Sequence, residues 1–256
     1  MTHATQFRWT SASRSDVGLV RQINEDAYLD RPERGLWAVA DGMGGHAHGD
    51  FASRMVIEAL NKLPSPDSLV ELVSDARDRL QAVNLQLRAE AVIRDVPIIG
   101  STVVALFARD RYCGYLWAGD SRIYLCRNGS LRLLTRDHSQ IEELKSRGDL
   151  NSEDAVNLSA RNLITRAVGA MDTLELDEET MEVRDGDMFL LCSDGLSNAV
   201  SDPEMRNALV SGNCRLASDA LVDMALTQGG RDNISVVVLR AEDPDSNDKT
   251  VLNPAL

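Results

Sequence analysis

Four acidic residues stand where short apolar runs begin or end. Trp37-Ala38-Val39-Ala40 stops at Asp41, with Gly42, Met43, Gly44 and Gly45 behind it, and Tyr115-Leu116-Trp117-Ala118-Gly119 stops at Asp120. Met188-Phe189-Leu190-Leu191-Cys192-Ser193 stops at Asp194, while Asp232-Asn233 is the mirror image, leading into Ile234 to Leu239. Runs this short suit buried strands, and the glycines after Asp41 let backbone approach a bound group. A lone Asp-Gly is a common turn; four acids at strand mouths are more, because a sheet or sandwich can gather them. Carboxylates so gathered repel one another unless cations lie between them, and all-oxygen donors favour hard ions such as Mg²⁺ or Mn²⁺.

The other residues with chemical potential precede Asp41. Arg21 and the acidic pair Glu25-Asp26 follow a turn at Asp16-Val17-Gly18. By themselves they read as a solvated loop. Two familiar phosphate and acyl-transfer motifs are excluded: Gly100-Ser101-Thr102 has no lysine for a P-loop, and Gly119-Asp120-Ser121-Arg122-Ile123 lacks the closing glycine of a nucleophile elbow.

Regular elements must carry these groups. Phe7 to Ser13 alternates as an opening strand. Asp50 can cap a helix whose apolar positions run from Phe51 to Leu63, ended by Pro64-Ser65-Pro66; a second helix follows from Leu69 to Ala91. The short link predicts an antiparallel pair packed on a sheet. Strands from Ile98 to Leu134, with a hairpin turn at Asn128-Gly129, read as a β-meander. Gln140 to Arg147 is a short helical piece, Gly148 to Arg161 lacks apolar period, and Leu174 to Val183 alternates as a strand. Pro203 to Val210 and Leu216 to Leu226 read as helices, stopped at Gly229-Gly230. Residues 242–256 are polar and predict a disordered tail.

The 256 residues suffice for one large domain with a sizeable core. No stretch has the length of a membrane span and Met1 to Trp9 lacks a signal-peptide pattern, so a cytoplasmic protein is expected. The four cysteines, Cys113, Cys126, Cys192 and Cys214, are too widely spaced for metal pairs and read as reduced core residues. With 27 basic and 40 acidic residues, the net charge of −13 argues against nucleic-acid binding.

Taken together, Arg21 with Asn24-Glu25-Asp26, Asp41-Gly42-Met43-Gly44-Gly45, Gly100-Ser101-Thr102, Ala118-Gly119-Asp120-Ser121-Arg122, Leu134-Thr135 with Asp137-His138-Ser139, Ser193-Asp194-Gly195 and Asp232-Asn233 form an ordered set. That set resembles the metal-dependent type 2C (PPM) protein serine/threonine phosphatases in their compact bacterial form. The resemblance implies an α+β fold, a central sandwich of two antiparallel β-sheets flanked by pairs of antiparallel helices. It implies one phosphatase domain over 1–241, with a flap at about 139–161. It also implies that Asp41 bridges two Mn²⁺ or Mg²⁺ ions, with the Gly42 carbonyl on one and Asp194 and Asp232 on the other. Asp120 with Asp194 would hold a third, weaker ion, Glu25 and Asp26 would orient water, and Arg21 would grip the phosphate.

One position departs from the pattern: eukaryotic relatives have histidine directly after the metal-binding Asp-Gly, and this chain has Met43. His46 lies close and is a candidate acid for the leaving group, while His138 reads as a buried structural histidine. The resemblance implies a monomer acting on phosphorylated proteins, opposing a bacterial Ser/Thr kinase, with no nucleic-acid or membrane partner. Two other classes are weighed. A non-catalytic phosphoprotein-binding module on the same fold would have lost a ligand acid, and none is lost; a two-metal nuclease or phosphodiesterase is disfavoured by the acidic surface. Thr250 in the tail is a candidate regulatory phosphorylation site.

Overall fold

The structure is a computed structural model that describes residues 7–44, 48–147 and 163–244. Eleven strands are named in chain order: β1 Arg8–Asp16, β2 Asp26–Arg31, β3 Leu36–Met43, β4 Gly100–Ser101, β5 Val103–Arg109, β6 Tyr112–Ala118, β7 Arg122–Arg127, β8 Ser130–Leu133, β9 Asp177–Glu182, β10 Met188–Cys192 and β11 Ile234–Glu242. The helices are α1 His48–Asn61, α2 Leu69–Ile93, α3 Gln140–Arg147, α4 Asp194–Ser197, α5 Asp202–Leu209 and α6 Cys214–Thr227.

Two antiparallel sheets result. One has the order β1-β11-β10-β7-β8, the other β2-β3-β5-β6-β9 with β4 paired to β3. Strand alternation explains the layering. On β3, Trp37 and Val39 point between the sheets with Val104, Leu106, Phe189, Leu191, Val237 and Leu239. The intervening Leu36, Ala38 and Ala40 pack outward against Val56 and Leu60 of α1 and Leu72, Leu80 and Leu87 of α2. Across the molecule, Leu190, Cys192, Val236 and Val238 pack against Met205 of α5 and Leu221 of α6. Both faces of these strands are therefore buried, which is why they read as unbroken apolar runs. This is the helix-sheet-sheet-helix sandwich that the resemblance implied.

Several expectations need correction. The strands after Ile98 are not one meander: β5 and β6 lie in one sheet and β7 and β8 in the other, so the chain changes sheets across Gly119, Asp120 and Ser121. Periodicity marks where a strand lies and carries no information about which sheet it joins. Asp50 is not a cap, because α1 starts at His48; it sits in the first turn and pairs with Arg54 at 2.7 Å. The strand expected from Leu174 starts at Asp177, and the last helix starts at Cys214, capped by Asn213. The Asn128-Gly129 hairpin is formed with both residues at positive φ, and Ser68 caps α2 through the Glu71 N–H. All four cysteines are free and buried. Among the described residues no helix is long and apolar enough to cross a membrane.

Candidate metal centre

The acids named from the sequence meet on the seam between the two sheets. Asp26 lies directly opposite Asp41 in the β2/β3 register, and alternation turns Asp41 to the same side as Trp37 and Val39. Asp120 occupies the crossing from β6 to β7, Asp194 opens α4 after Ser193, and Asp232 comes just before β11. Ser193, from one sheet, donates to Asp26 Oδ2 of the other at 2.8 Å, tying the seam beneath the carboxylates.

Electrostatics reports how closely they gather. Burial lifts the Asp41 carboxyl well above its ordinary range, and the charges of Asp26, Asp194, Asp120 and Asp232 lift it further. Burial pushes Asp26 up to about 7 against the pull of its serine hydrogen bonds, with Asp194 and Asp232 adding to the rise. Asp120 is pushed up to about 7 by burial, then by the charges of Asp194 and Asp137. Asp194 is raised by burial and then by the charge of Asp232, with the charges of Arg21 and Arg122 opposing the rise. Five carboxylates thus occupy one field, and the cluster demands positive charge.

The backbone around Asp41 is fixed in detail. Its N–H donates to Thr102 Oγ1 at 3.0 Å, and its carbonyl accepts from the Thr102 N–H at 2.8 Å and the Ser101 hydroxyl at 3.1 Å. Thr102 Oγ1 also meets Ser121 Oγ at 2.8 Å, next to Asp120. At Gly42 a side chain is forbidden, since a Cβ would lie 2.0 Å from the Gly49 carbonyl oxygen and 2.7 Å from that of Glu25. Bare backbone at this point leaves the Gly42 peptide able to approach a bound group.

The residues fit a hard cation. All donors are oxygens, and Asp26 Oδ1 and Asp120 Oδ1 are buried with no hydrogen-bond partner, each an acceptor awaiting positive charge. Among the described residues no three acids, imidazoles or thiols close into a finished cage. The local contacts explain this: Arg21 holds Asp232 Oδ2 at 2.8 Å, and Asp194 Oδ2 accepts from Asn198 at 3.1 Å.

The remaining sequence candidates fall as follows. Glu25 lies against the start of α1, where Oε1 accepts from the Gly49 N–H at 3.2 Å. Arg21 is exposed at the mouth, beside Asp232. His46 and Thr250 lie outside the described residues, and of the flap expected at about 139–161 only 139–147, carrying α3, is described. His138 is buried under Trp117, accepts from the Gly119 N–H at Nδ1 (3.2 Å), and therefore carries its proton on Nε2, 3.1 Å from Asp177 Oδ2. Two clefts beside α3, one lined by Thr165, Arg166, Met171 and Leu174 and one by Arg136, His138, Arg147 and Asp177, contain none of the five carboxylates.

Sequence reading missed the residues that hold the acids in place: Thr102, Ser121, Ser193 and Asn233. Asn233 donates to the carbonyls of Val17 (2.9 Å) and Ile23 (3.0 Å) and accepts from the Glu25 N–H (2.8 Å). Each stands inside a motif already noted, but a small polar residue beside an acid has no local pattern that distinguishes a long-range partner from a turn.

The chain is similar to known proteins over most of its length. The sequence is 39% identical over 238 residues to the serine/threonine protein phosphatase PstP of Mycobacterium tuberculosis, covering 91% of this chain but only 45% of that protein. The fold superposes on PppA, described as a key regulatory component of T6SS in Pseudomonas aeruginosa, with a TM-score of 0.85 at 45% identity, over 91% of this chain and 97% of that one. It also superposes on the catalytic domain of PstP in complex with 2 manganese ions, with a TM-score of 0.79 at 37% identity, over 93% of this chain and 100% of that one. The profile of the family described as Protein phosphatase 2C matches residues 18–227, from the turn before Arg21 to the end of α6. With four of the five seam carboxylates inside that span and Asp232 just beyond it, the chain belongs to the protein phosphatase 2C family.

Proposed function

We propose that the protein hydrolyses phosphoserine and phosphothreonine in proteins with the help of Mn²⁺ or Mg²⁺, two ions sharing Asp41 and a third, weaker one between Asp120 and Asp194. The observation that carries this reading is the convergence of five carboxylates on one seam, where burial and mutual charge raise Asp26, Asp41, Asp120 and Asp194 together. Asp41 with the Gly42 carbonyl, Asp194 and Asp232 are the groups that would hold the pair. When bound, such ions supply charge that polarises a phosphoryl group and lowers the pKa of water.

The chain's own residues do the rest. Thr102 fixes Asp41 through its backbone, and Ser193 fixes Asp26, so both acids are oriented before substrate arrives. To Glu25, set on the α1 terminus, and to Asp26 we assign the orientation of attacking water. Arg21 has the planar fork that pairs with two phosphoryl oxygens, and it stands exposed where such a group would enter. Similarity to named protein phosphatases supports phosphoproteins as substrates and a bacterial Ser/Thr kinase as the opposing activity. We read residues 1–241 as one domain working as a cytoplasmic monomer.

The test is release of inorganic phosphate from a phosphothreonine peptide with and without Mn²⁺. Release that needs the metal and is lost in Asp194→Asn is expected. Equal release by Asp194→Asn, or none by the intact protein, would sink the reading.

A further inference from the structure

The segment between β1 and β2 is clamped in place and still turns apolar side chains to solvent. Asn233 binds the carbonyls of Val17 and Ile23 and the Glu25 N–H, spanning the segment from end to end. In between, the Leu19 N–H donates to the Gly230 carbonyl at 2.7 Å, and the Gly18 N–H to Asp16 Oδ1 at 2.9 Å. The Leu19 side chain lies over Gly230, where an added Cβ would come within 3.0 Å of Leu19 Cγ. Backbone hydrogen bonds therefore hold the segment, and its apolar side chains are not needed to do so.

Those side chains are Leu19, Val20 and Ile23, 69%, 65% and 47% exposed. Single exposed apolar residues are ordinary. Here three fall within five positions and surround Arg21, whose guanidinium sits 2.8 Å from Asp232 in the candidate metal centre.

We propose that Leu19, Val20 and Ile23 form a lip that contacts the polypeptide on either side of the phosphorylated residue and selects substrates with apolar side chains there. The inference rests on the phosphatase reading, which also identifies the occupant. A phosphoryl group delivered to Arg21 draws its own chain across this segment, so the lip is continuous with the site. Because Asn233 and Gly230 already hold the backbone, little ordering is required when a peptide settles on it. Apolar contact gains by excluding water, and a polar flank gains nothing from the same surface.

Three substrates test the lip under saturating Mn²⁺: a phosphothreonine peptide flanked by leucine and valine, the same peptide flanked by serines, and p-nitrophenyl phosphate, which has no flanks. The expected kcat/KM is about tenfold higher for the apolar peptide than for the serine peptide, the difference lying in KM. In the Leu19→Ser/Val20→Ser double variant, and in Ile23→Ser, the preference should shrink to about twofold. Equal kcat/KM for the two peptides with the unmodified protein overturns the lip, and so does a preference that survives in the variants. Equal losses on all three substrates also overturn it, since the segment would then act on the centre and not on the flanks. No phosphate from any substrate overturns the phosphatase reading itself, and the lip falls with it.

Discussion

Thr102 Oγ1 lies 2.8 Å from Ser121 Oγ, and through this one contact the strand end that carries Asp41 is joined to the crossing that carries Asp120. The same oxygen accepts the Asp41 N–H, so Thr102→Val keeps the shape and removes a hydroxyl that serves both sides. Its loss should cost about 1–3 kcal/mol in urea denaturation, the penalty for a buried donor left unpaired. Phosphate release should fall with it, and weaker Mn²⁺ binding by calorimetry would show that the acids have lost their positions.

Asp41→Asn should separate charge from structure. Removing one of five crowded acids relieves repulsion, so the chelated variant is expected to melt at or above the temperature of the parent. Added Mn²⁺, which should raise the melting temperature of the parent by mass action, should leave the variant unchanged. Phosphatase activity should drop by about 10³-fold. A variant less stable than the parent in chelator would mean that Asp41 serves the fold and not the ion.

His138 gives a prediction for pH. Burial lowers its pKa in spite of the Asp177 hydrogen bond, so the folded protein prefers the neutral ring more strongly than the unfolded chain does. Its contribution is therefore complete above the ordinary histidine pKa of about 6.5 and is lost as pH falls toward the depressed folded value. Melting temperatures of the parent and of His138→Gln should diverge less at pH 5 than at pH 7.5. Parallel profiles would show that His138 titrates alike in both states.

Away from the seam, Arg127 makes a two-pronged pair with Asp187, whose side chain is only 1% exposed. Arg127→Met leaves a buried carboxylate without its counter-charge and should cost about 3 kcal/mol in urea. The double variant Arg127→Met/Asp187→Asn should recover part of that loss. Activity per folded molecule should stay at the parental level in both.

Much of the fold could be read because its strands are buried on both faces and announce themselves as apolar runs; α2 and the Asn128-Gly129 hairpin were equally plain. What could not be read was the change of sheet at Asp120, since β6 and β7 look alike whichever neighbour they take. The acids were visible because each ends or starts such a run. Thr102 and Asn233 were not, because their partners lie 61 positions away at Asp41 and about 210 positions away in the segment around Arg21. Local pattern encodes an element's type, while a hydrogen bond of that span is decided only once the sheets are assembled.

The position of β11, inserted between β1 and β10, bears on how the protein is made. As the chain is made, β1 can find its sheet neighbour only after β11 has followed, and Asp232 arrives with β11. A nascent chain halted anywhere before Asp232 should have no catalytic power, so activity would appear all at once when β11 joins the sheet.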